Sequence, residues 1–295
     1  MSVNLRWKFS PLANRLHPAA ALLEGRRLPR PNQEAAYAPR IKELRDRLRL
    51  DSIAEELCVE HLIHLAAEHN DASVAGREFV EKTMGRGASA GARNYARMFG
   101  ELEAVFRDVY PQHDQPISLG PHPLQHAWER WGTALMKNVA GFSEDGLVTH
   151  GGTVLMTGGV LGGHGSAHLL YNTARMEMIH PDPLPELPEV LRLCWVASQW
   201  NLELDKWRAG LRIRRLVHVG ALAMVPIAVS AGAALELAKD DDETILLAVN
   251  AWKPVPDALL PDVGPKVVNW WRAYHANRPR WAAALGALNQ MLGWD

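Results

Sequence analysis

The chain has 295 residues, a formal net charge of −1, and apolar and charged fractions of 47% and 22%. That length is enough to bury the core of one large domain or two small ones, and the composition excludes a disordered polymer. The balanced charge excludes the basic field that binds nucleic acid by bulk electrostatics.

Residues 1–40 are rich in Pro and Arg, show little periodicity, and read as an extended N-terminal arm with no apolar run of signal-peptide length. After Pro39, the residues Ile41, Leu44, Leu48, Ile53, Leu57, His61, His64 and Ala67 recur at helical spacing. Asp51 or Ser52 is placed to cap a second helix, and Asp71 or Ser73 to open the next. GRGASAG (85–91) reads as a turn, and ARNYARMFGELEAVFRDVY as a helix that stops at Pro111. The segment 110–123 carries four prolines and reads as a loop. LQHAWERWGTALMKNVAGF reads as an amphipathic helix.

The most unusual stretch is Gly146–Ala174, with no charged residue, eight glycines and three histidines. Its glycine pairs interrupt any helix, and a regular helix is expected from His164 or Ser166 to Ile179. HPDPLPELP (180–188) is the strongest linker and marks a candidate subdivision. From Pro188 a helical pattern runs on to Val219. The run DDDE flanks a further helix, KPVPDALLPDVGP is a connector, and short helices close the chain.

With no alternating strand series and no hairpin dipeptide, the expected fold is all-α. It is a single large bundle-like helical domain over 41–295 with proline-rich connectors. The runs 146–174 and Leu216–Leu235 are long enough to span a bilayer. Gly, Ala, His, Ser and Thr dilute both, so core helices of a soluble, cytoplasmic protein are expected rather than membrane spans. Cys58 and Cys194 lie in apolar runs and read as buried thiols.

Several side-chain sets carry chemistry. Glu56, Glu60, His64 and Glu68 form a stripe at four-residue spacing, with His61 beside it; facing helices hold metal pairs with such side chains. Without a Glu-x-x-His pair, a solvated face is the competing reading. His164 and His168, four apart, would share a helix face and could reach one ion; alternatively they are hydrogen-bonded wall residues. His218 stands alone in the apolar run RIRRLVHVGALAMV. It is either a core histidine or an axial ligand to haem iron, with Arg212, Arg214 or Arg215 meeting the propionates. Gly158, Gly159, Gly162 and Gly163 permit close approach of a flat ligand, or of another helix. Arg175-x-x-x-x-His180 has the spacing of the helical HEPN ribonuclease motif, with Met176 where a polar residue is usual.

The segment MTGGVLGGHGSAHLLYNTAR resembles the glycine-rich loop of the histidine-ligated haem dioxygenases, the tryptophan 2,3-dioxygenase group. Thr157, Gly158, Gly159 and Gly162 match, and RIRRLVHVGALAMV is similar to that family's axial-histidine helix. The loop here precedes the histidine helix instead of following it, Met156 replaces the first glycine, and Val160-Leu161 replace the serine pair. The resemblance implies a haem-dependent oxygenase acting on a small aromatic substrate such as an aromatic amino acid. His218 would ligate iron, Arg215 and the glycines would hold the cofactor, and His164, His168 and Thr157 would line the reacting side. Two alternatives stand beside it. One is a non-haem iron or other transition-metal enzyme using Glu56, Glu60, His61, His64, His164 and His168. The other is a helical interaction subunit, a homo-oligomer included, whose interface is the tryptophan-rich end with Trp270, Trp271, Trp281 and Trp294.

Overall fold

The computed structural model describes residues 3–85, 89–113, 122–178 and 184–294. The chain opens with a strand, β1 (Asn4–Phe9), in which Asn4, Arg6 and Lys8 alternate with Leu5, Trp7 and Phe9. Helix α1 (Pro11–Leu23) follows. Its start is set by Pro11 at the first turn and by the Ser10 hydroxyl, which accepts from the Ala13 N–H at 3.2 Å. Then come α2 (Pro31–Leu50), α3 (Glu55–His69), α4 (Ala72–Met84), α5 (Ser89–Val109) and α6 (Pro123–Phe142). Strands β2 (Gly151–Thr157), β3 (Gly165–His168) and β4 (Thr173–Glu177) lead into α7 (Glu189–Ala197), α8 (Ile213–Ala233), α9 (Asp242–Trp252), α10 (Val263–Asn277) and α11 (Trp281–Leu292).

The four strands form one mixed sheet in the order β1-β2-β4-β3; β2 runs parallel to β1 and β4, and β3 is antiparallel to β4. Val154, Met156, Ala174 and Met176 point into a core built with α6–α11. Leu155 points the other way, into the core of α1–α5. The sheet is therefore the middle of three layers, with helices on both faces.

The all-α expectation is corrected to a mostly helical fold around a four-stranded mixed sheet. The helix expected over 164–179 is instead β3, a short 3-10 turn at Leu169–Tyr171, and β4. Alternation is present in β4, as Thr173, Arg175 and Glu177 against Ala174 and Met176. All five residues are buried, because the polar set meets other buried polar groups rather than water.

The expected N-terminal arm is corrected too. It contains β1, the almost wholly buried α1 and the start of α2. Pro39 lies inside α2 on an exposed face, where the carbonyl of Ala35 that it cannot satisfy meets water. The long helix after Pro188 breaks into α7 and α8, separated by a segment with Ala209 and Gly210 at positive φ.

Helices α5, α6, α10 and α11 and the Asp71 cap of α4 stand where expected; Asp71 accepts from Ser73 and Val74 at 2.8 and 2.9 Å. Helix α8 is long and apolar enough to cross a membrane, with a mean hydropathy of 1.9, and 83% of that window is buried within the fold. Residues 179–183, and with them His180 of the ribonuclease-like spacing, lie outside the described residues.

Candidate functional site

The sheet face turned toward α1–α5 is lined by charge. Arg175 and Glu177 stand on it from β4, and His164, Ser166 and His168 from β3 and the residue before it, because neighbouring strands keep register on one face. α1 adds Asn14, His17 and its cap residue Glu24, and α3 adds Glu60.

Glu177 organises the glycine loop. One carboxylate oxygen accepts from the backbone N–H of Val160 (2.8 Å) and Leu161 (2.7 Å) and lies 2.9 Å from His17 Nε2; the other accepts from Gly163 (2.6 Å) and His164 (3.0 Å). Gly162 and Gly163 have φ of +84° and +96°, so the loop turns its N–H groups inward as an anion nest. Burial pushes the pKa of this carboxyl up, but His17 and the backbone donors outweigh it and hold it down at about 2. Asn14 Oδ1 accepts from Gly158 at 2.7 Å, and buried Arg192 from α7 donates to the Gly163 carbonyl. The loop read as a ligand wall thus wraps a carboxylate of the protein itself.

Beside it, one nitrogen of fully buried Arg175 donates to both oxygens of Glu24 at 2.7 and 2.6 Å and to Ser166 Oγ at 2.9 Å. Nε2 of His164 lies 3.4 Å from Glu24 and 3.5 Å from Arg175. Burial opposes ionisation of Glu24, yet Arg175 and His164 keep it well below the usual carboxylate range. Burial drives the His164 imidazole down to about 4 and His168 to about 3, so both are neutral near pH 7. Among the described residues neither ring nitrogen of His168 has a hydrogen-bond partner; Nδ1 is 3.8 Å from Glu60. Glu60 accepts from the N–H groups of Leu169 (3.1 Å) and Leu170 (3.0 Å). Burial pushes its carboxyl up to about 8 against those donors.

This polar layer opens at the free edge of β3 into a cavity of about 480 Å³. Glu24, Arg26, Glu60, Ser166, Gln199 and His218 are among its polar lining residues, with Arg45, Arg49, Glu55, Glu56 and Arg214 around them. Leu23, Val217, Ala221, Pro254, Pro256 and Leu259 supply apolar wall. Burial keeps His218 neutral by lowering its imidazole to about 4, an effect Arg26 reinforces.

The structure brings His164 and His168 to one face, on a strand edge instead of the expected helix. It sets His218 on the cavity wall with Glu60. Thr157 is fully buried, its hydroxyl 3.4 Å from the Met176 carbonyl, and Gly158, Gly159, Gly162 and Gly163 are not on that wall. Arg215 lies over the Trp294 ring at 5.7 Å; Arg214, one residue earlier, lines the cavity.

The α3 stripe is split. Glu56 faces Arg214, Glu68 pairs with Lys8 at 3.0 Å, His64 stacks on Tyr171 at 3.6 Å, and His61 Nδ1 meets the Tyr171 hydroxyl at 2.6 Å. Among the described residues no group of three or more His, Cys, Asp or Glu side chains is placed to hold a metal ion. Trp270, Trp271 and Trp281 are buried in the core of the chain itself.

Sequence reasoning missed His17, Glu24, Arg26, Arg175 as the cation of Glu24, Glu177 and Arg192. The alternation of Thr173, Arg175 and Glu177 was the available signal for two of them. The fold and site together define a mostly helical protein with a mixed sheet and a charged cavity at the sheet edge. Compared with family models, curated proteins and solved structures, the chain matches none.

Proposed function

We propose that this chain is an enzyme that acts on a small organic molecule in the β3-edge cavity by proton transfer. The carrying observation is that Glu60 and His218 line the same cavity, from α3 on one side and α8 on the other. Their environments reverse the usual order of acidities. Glu60 holds its proton up to about pH 8, and His218 stays unprotonated down to about pH 4. A carboxylic acid and a neutral imidazole in one site are a proton donor and a proton acceptor at physiological pH. Glu24, ionised and fixed by Arg175, holds its oxygens in place without taking a proton.

The test is turnover. Purified protein incubated with a metabolite extract, followed by mass spectrometry, is expected to convert at least one component. Glu60→Gln and His218→Gln should each slow that conversion by roughly a hundredfold or more. Unchanged extract, or variants as active as the parent, would overturn the reading.

A haem-dependent oxygenase is the second reading, favoured by one observation: His218 stands on a cavity wall with no carboxylate paired to it among the described residues. The rest of that wall fits a haem poorly. Four glutamates and four arginines line it where the macrocycle needs apolar faces, and the glycine loop is taken up by Glu177. A Soret band in protein expressed with ample iron, lost in His218→Ala, would restore that reading.

A further inference from the structure

The charges on the cavity wall are not evenly matched. Arg45 pairs with Glu55 at 2.8 Å, Arg214 with Glu56 at 3.5 Å and Arg49 with Asp46 at 3.2 Å; Glu24 is taken by Arg175. Glu60 is satisfied by two backbone N–H groups. Among the described residues Arg26 alone of the wall cations makes no ion pair. It donates to the Val255 carbonyl, and its Nε is buried with no hydrogen-bond partner. A guanidinium with unused buried donors beside a cavity costs desolvation that a bound anion recovers. The same cavity wall also carries the apolar residues Val217, Ala221, Pro254 and Leu259.

We propose that the cavity binds a small organic carboxylate, its carboxylate on Arg26 and its apolar body against Val217, Ala221 and Leu259. This rests on the reading that the cavity holds a small molecule, and it names the class. Arg26 also lines a small side pocket of about 50 Å³ that reaches Gly162, Gly163 and His164, so the carboxylate end lies toward the glycine loop. Two carboxylates lie at this end: Glu24 already has its cation in Arg175, and Asp257, which lines the side pocket, accepts from the Arg27 N–H at 3.3 Å.

Three probes of one shape and different charge test the assignment: benzoate, benzamide and benzylamine, titrated into the full chain by calorimetry or ligand-observed NMR. Benzoate is expected to bind about tenfold or more tighter than the other two. Arg26→Gln should abolish that preference while leaving benzamide unchanged, and Arg26→Lys should keep part of it. Benzylamine binding best, or benzoate binding equally well to Arg26→Gln, overturns the proposal. So does the absence of binding by all three. Loss of turnover in Glu60→Gln would still stand in each of those cases, so failure of the ligand class is distinguishable from failure of the catalytic reading.

Discussion

Glu177 is a charge that the fold encloses and then satisfies. Four backbone N–H groups and His17 converge on its two oxygens, which is why a carboxylate at 1% exposure stays ionised. Glu177→Gln keeps the shape but presents an amide N–H₂ to donors that need an acceptor. The expected loss is roughly 3–5 kcal/mol, the range for breaking a buried charged network, read from urea unfolding. A loss under about 1 kcal/mol would mean that the nest tolerates a neutral occupant and does not depend on charge. The spacing of Gly158, Gly159, Gly162 and Gly163 was legible as a loop of unusual backbone. Its occupant was not, because Glu177 lies on another strand and reaches the loop only through the pairing of β3 with β4.

At the scale of elements, the layer α1–α5 is held by close helix contact. A Cβ added at Gly76 in α4 would lie 2.4 Å from the Ala96 backbone nitrogen in α5. No side-chain rotation relieves a clash with backbone, so Gly76→Ala must push the helices apart, at about 1–3 kcal/mol. Gly100, also in α5, has nothing within 4 Å of such a Cβ. There Gly100→Ala should be neutral or stabilise by up to about 1 kcal/mol through helix propensity. Thermal unfolding of the two variants side by side checks the pair; equal effects would remove the close-approach argument.

The helices with strong signals were read correctly from sequence: Asp71 before α4, Pro111 after α5, and the proline connector before α10. The sheet was not. Its strands are short, β4 is buried on both faces, and Arg6, Lys8, Arg175 and Glu177 meet protein partners that single-sequence periodicity does not reveal.

For the whole molecule, the buried titratable groups set how stability depends on pH. His164 and His168 have folded values of about 4 and about 3, below their ordinary 6.5. Their contribution is present above about pH 6.5 and is lost as the pH falls through those folded values. Glu177, at about 2 against an ordinary 4.5, extends the loss further into acid. Glu60 has the opposite sign. Its folded value of about 8 lies above the ordinary 4.5, so its contribution is full below 4.5 and is lost as pH rises to 8.

Between 4.5 and 6.5 the histidines outnumber this one carboxyl, so stability should peak near neutrality, at about pH 6.5, and decline on both sides. In Glu60→Gln the decline between 6.5 and 8 should disappear while the acid limb remains. Unfolding free energies measured from pH 4 to 9 decide this; an alkaline limb that survives in the variant would remove Glu60 as its source.

The sequence by itself determined most of the helices, through caps, prolines and apolar periodicity, because those signals act within a few residues. It also marked Gly146–Ala174 as a segment apart and placed His164, His168, Glu60 and His218 among the candidates. Only the tertiary structure decided which of them meet. His17 and Glu177 are 160 positions apart, and Glu24 and Arg175 are 151. Such pairs form because strand pairing and the packing of α1 and α3 on the sheet bring each buried charge against the groups that satisfy it, and that choice is made in space and not along the chain.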